Sequence, residues 1–366
     1  MPKVLGITHQ GIEDVAAQEA ADILGVVPAV VTCGIIFEVD SFEKACLLAY
    51  RSQCLRRVVL LLGESAYSDE ASLKAVSAGF NFSSWLSPET TFSLRCTRGN
   101  GVGMSHTELE RTVGGEIKVR HGSLVDLKAP KVHCHALVTP GKIYAGIDLT
   151  GFDLSKREHN IFGVQKSVKG DIAFALFRLA GITQGMLLDP FSGSGGVTIE
   201  AALFVTGRAP HYFSKDKFQF TQYHDLGFQA DAMFKLADKI LRESALTIKA
   251  FDPNLHYLNA SRKNSKVAGV EKTIDFSRTD LDWLDLKLED GSVDAVATIM
   301  PSRMTGGTLK QACQAFLKVV KKGGSVVLLS HDPAMPDAVV SHGLTLVSKR
   351  TVMQGQSGLT VGVFRN

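Results

Sequence analysis

Residues 187–203 read Leu187-Leu188-Asp189-Pro190-Phe191-Ser192-Gly193-Ser194-Gly195-Gly196-Val197-Thr198-Ile199-Glu200-Ala201-Ala202-Leu203. A short apolar strand ends at Asp189, a glycine-rich turn follows, and an apolar helix begins. This order is the first strand, turn and helix of a fold that holds a nucleotide cofactor. Gly193, Gly195 and Gly196 lack a Cβ, so the backbone there can turn sharply and come close to a ligand.

The details point to S-adenosyl-L-methionine as cofactor and away from a dinucleotide. The glycines run G-x-G-G, not G-x-G-x-x-G. Asp189 disfavours a pyrophosphate, which needs bare N–H donors at a helix start. The same carboxylate suits the ammonium of a methionine moiety. A lone glycine turn can also bind nothing. The lead Asp189-Pro190-Phe191, the turn Gly193-Ser194-Gly195 and the helix start Ile199-Glu200 together weigh against that. Two further acids follow in order. Leu246–Phe251 reads as a second strand ending at Asp252, where such folds hold ribose hydroxyls. Thr273–Ser277 reads as a third, with Asp280 and Leu281 beyond it, placed for the adenine edge.

A chain of 366 residues, 45% hydrophobic, has material for two or three packed domains. No run reaches the apolar length of a membrane span, and the N-terminus lacks a signal-peptide layout. The six cysteines are scattered, with no C-x-x-C. They read as reduced, mostly buried thiols of a cytoplasmic protein. His133 and His135 share a strand face without a third ligand nearby, so no metal site is expected. The net charge of +3 is uneven: residues 95–169 hold 12 Lys and Arg against 7 Asp and Glu, leaving −2 for the rest. Such a basic excess is the footprint of phosphate-backbone binding, although a solvated loop face gives the same count.

Working outward, residues 1–62 alternate strand and helix in the tempo of a ferredoxin-like sheet. Ser105 and Glu108 form a capping-box signature, which predicts a helix to about Lys118. Val132–Val138 and Ile143–Leu149 read as strands around a Pro140-Gly141 turn. Residues 206–244 form an insertion rich in aromatics (Phe213, Phe218, Phe220, Tyr223, Phe228). These could stack on bases or cover the cofactor, or simply pack a helix onto a domain. Leu344–Lys349 and Leu359–Phe364 are expected to close the sheet as an antiparallel pair.

On these residues the chain resembles THUMP-containing RNA methyltransferases of the tRNA guanosine-N2 group. The THUMP-like stretch includes Thr91-Phe-Ser-Leu-Arg-Cys-Thr-Arg98, Glu108-Leu-Glu-Arg-Thr-Val-Gly114, Val125-Asp-Leu-Lys-Ala-Pro130 and Tyr144-Ala-Gly-Ile-Asp-Leu149. Leu154-Ser-Lys-Arg157 is similar to the basic element that joins THUMP to the methyltransferase domain. The resemblance implies an α/β fold with a Rossmann-like, seven-stranded class I methyltransferase domain. Ahead of it would lie an α+β ferredoxin-like plus THUMP module. The implied boundaries are 1–65 ferredoxin-like, 66–150 THUMP, 151–170 linker and 171–366 methyltransferase. It also implies a structured RNA partner, tRNA, with Arg95, Arg98, Lys128, Lys131 and Arg157 as phosphate contacts.

One motif departs from the family. Its members carry Asp/Asn-Pro-Pro-Tyr/Phe-Gly after the fourth strand, whose side-chain oxygen and adjacent carbonyl accept from the exocyclic amine while the ring stacks on the flipped base. Here the stretch reads Ile299-Met300-Pro301-Ser302-Arg303. Pro301 and Ser302 remain the candidate catalytic positions, without the side-chain acceptor and without the stacking surface. Three readings follow: an active methyltransferase with an altered base pocket, a retired homologue serving as an RNA-binding module or partner subunit, and a nucleotide-binding oxidoreductase. Asp189 and the THUMP-like half oppose the last.

Overall fold

The computed structural model describes residues 1–163, 167–223, 226–240, 245–302 and 304–366. Arg303 of the altered motif lies outside the described residues. The chain divides into two compact units: 1–154 with 213–237, and 155–212 with 238–366.

The first unit contains β1 (Lys3–Ile7), α1 (Glu13–Leu24), β2 (Ala29–Val31), β3 (Gly34–Glu38), α2 (Phe42–Arg51), β4 (Arg57–Ala66), α3 (Glu70–Ala78), β5 (Thr91–Arg98), α4 (His106–His121), β6 (Leu124–Val125), β7 (Val132–Thr139) and β8 (Lys142–Asp148). Its strands form one eight-stranded sheet in the order β2-β3-β1-β4-β8-β7-β5-β6. The boundary expected after residue 65 falls inside β4. That strand pairs with β1 (Leu60 opposite Val4) and with β8 (Val59 opposite Asp148). The reason is two-sided burial: Leu60 belongs to one apolar cluster, Val59 and Leu61 to another. A strand buried on both faces can serve both halves of a sheet. The capping box at α4 is present, with Glu108 N–H donating to Ser105 Oγ at 3.3 Å and Ser105 N–H to Glu108 Oε2 at 2.7 Å.

The second unit begins with α5 (Gly170–Ala180), β9 (Gly185–Asp189) and α6 (Gly196–Thr206). The chain then returns to the first unit for α7 (Ala230–Ala237). Three of the insertion's aromatics, Phe218, Phe220 and Tyr223, take the packing role, whereas Phe213 is exposed. Phe218 and Phe220 are buried, and Phe218 meets Tyr50 and Phe152 at ring distances of 5.9 and 5.2 Å. Tyr223 packs on Trp85 and donates its hydroxyl to the Asp148 carbonyl at 3.0 Å. Rings committed in this way are not available to stack on a base.

The rest of the second unit is β10 (Leu246–Asp252), α8 (Leu255–Ala268), β11 (Ile274–Arg278), α9 (Leu284–Lys287), β12 (Val293–Ile299), α10 (Gly306–Val319), β13 (Val320–Ser330), α11 (Met335–Val340), β14 (Thr345–Gln354) and β15 (Ser357–Arg365). Its sheet order is β11-β10-β9-β12-β13-β15-β14. The strands run parallel from β11 to β13, and β15 is antiparallel to both β13 and β14. The expected closing pair is therefore present. Strand order reverses beside β9, and ligands of open α/β sheets bind in the crevice at such a switch point. Among the described residues no helix is long and apolar enough to cross a membrane.

Candidate cofactor and acceptor site

The loop from β9 to α6 builds one wall of a cleft at the carboxyl ends of the strands. Gly195 has φ 90°, and a Cβ there would lie 2.5 Å from Ser261 Oγ, so only glycine fits. Gly193 N–H donates to Asp252 Oδ2 at 2.9 Å, and Asn254 N–H donates to Asp252 Oδ1 at 2.8 Å. The acid ending β10 thus braces the glycine loop. Phe191, Gly193, Ser194 and Asp252 line the cleft together with Pro301 and Ser302. Tertiary structure brings the cofactor loop and the altered motif to one place.

Asp189 sits beneath the loop, almost fully buried. Its Oδ1 accepts from Thr298 Oγ1 at 2.6 Å and from Phe191 N–H at 3.3 Å. Burial drives its pKa up to about 7, against the lowering effect of those two bonds and with help from the neighbouring Asp252 charge. Asp252 is also raised, again chiefly by burial. Among the described residues no cation pairs with Asp189. A buried carboxylate without a counter-ion is an environment that an incoming ammonium would stabilise.

Asp280 is exposed at the end of the β11 loop, where its carboxylate caps Leu281 N–H at 2.8 Å. The Leu281 side chain belongs to the apolar core with Leu284 and Leu288, so any cofactor contact from it must come through the backbone.

The expected basic contacts separate. Lys128 and Lys131 are exposed on the loop between β6 and β7. Arg95 is also exposed, with Glu110 at 3.3 Å. Arg98 is half-buried and donates to the carbonyls of Val102 and Met104 at 3.5 and 3.3 Å. Arg157 corrects the expectation. Its side chain is 3% exposed and forms a two-pronged bond with Glu200 of α6, at 2.7 and 3.1 Å. Arg157 anchors its own stretch of chain to the helix that follows the glycine loop. An arginine so buried and so paired does not reach a phosphate.

Sequence reading missed several cleft residues. Tyr257, His331 and Asn160 line it. Asn264 is fully buried; its Nδ2 donates to the carbonyls of Ser194 and Phe162, and its Oδ1 accepts from Phe162 N–H at 3.0 Å. The signal was present: a polar residue on the buried face of α8, in line with Leu258, Ser261 and Ala268. His135, by contrast, is a buried core histidine. Its Nε2 lies 2.8 Å from Thr97 Oγ1, and burial, then the Arg57 charge, lowers its pKa to about 3.

Comparison with known proteins agrees with this geometry. Residues 157–361 match the family model described as RMKL-like, methyltransferase domain, and residues 67–148 match the THUMP domain. The tRNA (guanine(6)-N2)-methyltransferase of Methanocaldococcus jannaschii is 26% identical over 339 residues, covering 86% of each chain. The ribosomal RNA large subunit methyltransferase K/L of Aliivibrio fischeri is 26% identical over 298 residues, 75% of this chain but only 41% of that longer protein. Two solved structures share the fold over 98% or more of both chains: a possible methylase from Clostridium difficile 630 (TM-score 0.82, 20% identity) and a putative methyltransferase complexed with SAH (0.78, 18%). With its match extending over more than half of the sequence, the chain belongs to the RMKL-like methyltransferase-domain family and carries a THUMP domain ahead of that fold.

Proposed function

We propose that this protein is a cytoplasmic, S-adenosyl-L-methionine-dependent methyltransferase acting on tRNA, at the N2 amine of a guanosine, with the THUMP-bearing unit docking the RNA. The observation that carries the reading is the cleft itself, where a glycine loop over the buried Asp189 carboxylate meets the Met300-Pro301-Ser302 turn. The residues fit the cofactor: Asp189 would hold the methionine ammonium, Asp252 the ribose side, and Gly195 leaves the space a close ligand needs. The cofactor, when bound, supplies an electrophilic methyl group. The protein's part is to orient the acceptor amine, exclude water and take up a proton. Asp280 would serve the adenine edge, and Arg95, Arg98, Lys128 and Lys131 the RNA backbone. The tRNA specificity rests on the similarity to the archaeal enzyme over most of both chains.

The replacement of the usual acceptor and ring by Ile299 and Ser302 favours a second reading, an impaired homologue that binds RNA or supports a partner subunit. Methyl transfer from labelled S-adenosylmethionine to unmodified pooled tRNA, with mass spectrometry of the nucleosides, separates the two. Methylguanosine that disappears in Asp189→Ala supports the enzyme. No product together with retained RNA binding supports the second reading.

A further inference from the structure

Methylating an amine requires that an N–H proton be given up, and the Ile299 side chain offers no lone pair to receive it. The pairing of β12 with β13 supplies another group. The strands are parallel with Ile299 opposite Leu329, and Met300 N–H donates to the Leu329 carbonyl at 2.8 Å. Just past the ends of these two paired strands, Pro301 and His331 both reach the same cleft. His331 lines the cleft with Ile299, Pro301 and Ser302. Its loop is held by Asp332 N–H donating to Ser330 Oγ at 3.0 Å and Ala334 N–H to Asp332 Oδ1 at 2.9 Å. The imidazole is exposed, and among the described residues no side chain bonds it.

The other polar groups of the cleft are less suited. Asp252 accepts from two backbone amides and is assigned above to the ribose side. Ser192, Ser194, Ser302, Tyr257 and Asn160 present hydroxyls and an amide, which are poor proton acceptors, whereas a neutral imidazole carries one basic ring nitrogen and a flat face.

Resting on the methyltransferase reading above, we infer that His331 is the catalytic residue that accepts the proton of the methylated amine, in the place where Ile299 has no acceptor. The amine lone pair forms the new N–C bond, the electron pair of the broken C–S bond stays with sulfur, and the surplus N–H proton passes to the imidazole and then to water.

The test compares the full chain with His331→Ala and His331→Gln. Single-turnover methyl transfer to unmodified tRNA is measured with and without added imidazole. S-adenosylhomocysteine affinity is measured by calorimetry, and the His331 ring resonance, assigned by its loss in His331→Gln, is followed by NMR on adding guanosine 5′-monophosphate. The expected result is a rate lower by about 100-fold in both variants, with partial rescue of His331→Ala by imidazole. Cofactor-product affinity stays within about twofold of the parent, the ring resonance moves with the nucleotide, and Ile299→Asn recovers rate in the His331→Ala background. A His331→Ala rate within about twofold of the parent overturns the inference and leaves the enzyme reading standing. So does an S-adenosylhomocysteine affinity that falls in step with the rate, or a rate loss with neither rescue nor resonance shift. A parent chain that methylates no RNA overturns both.

Discussion

Asp189 concentrates the site's electrostatics in one side chain. Its carboxyl is buried, among the described residues no cation pairs with it, and its pKa rises to about 7. A carboxyl that ionises later in the folded state than in the unfolded chain favours folding below the unfolded pKa. That contribution is lost as pH rises through the folded value. The cofactor-free protein should therefore lose stability between pH 4 and 7, and Asp189→Asn should flatten this fall in thermal unfolding scans, since Asn keeps an oxygen for Thr298 and Phe191. Binding runs the other way, because an ammonium requires the ionised form. S-adenosylmethionine affinity, read by calorimetry, should rise about fivefold from pH 6 to 7 and then level off. An affinity independent of pH over that range would mean that Asp189 does not meet the ammonium.

At the scale of elements, the stretch around Arg157 and Phe162 and helix α8 hold the glycine loop and the start of α6. Arg157 clamps this stretch to α6 through Glu200, and the packing is close: a Cβ on Gly170 would lie 2.5 Å from Arg157 Nε. Arg157→Ala leaves Glu200 charged and buried, a loss of about 3–5 kcal/mol. It should lower the unfolding temperature sharply while tRNA affinity of the folded fraction stays unchanged. A phosphate contact would give the opposite pattern. Asn264→Ala strands the backbone groups of Phe162 and Ser194, each costing about 1–3 kcal/mol when left buried and unpaired. Denaturant melts should show the loss, and calorimetry a weaker cofactor affinity, because Ser194 belongs to the cleft wall.

For the molecule as a whole, the basic excess bears on RNA binding. Arg95, Lys128 and Lys131 are exposed, whereas Arg157 is an internal anchor. Replacing the three by Ala should weaken tRNA binding at every sequence and reduce the salt-dependence slope by about 1 for each phosphate no longer neutralised, with cofactor affinity untouched. Filter binding across a salt series reads both. An unchanged slope would move the RNA footprint elsewhere on the chain.

The strand-turn-helix at 187–203, the order of acids behind it, the capping box at Ser105 and the closing pair of strands are local patterns, set by glycine backbone freedom, cap chemistry and residue periodicity within a few positions. The sequence alone determined these, and with them the methyltransferase fold. Tertiary structure decided the rest. It ran β4 through both halves of one sheet, because a strand buried on both faces carries no mark of which neighbour it serves. It returned the insertion's aromatics to the first unit and buried Arg157 against Glu200, because a charge looks the same in sequence whether it meets water or a partner 43 residues away. It brought His331 into one cleft with Pro301, at the ends of β13 and β12, a neighbour relation that exists only once parallel strands have paired.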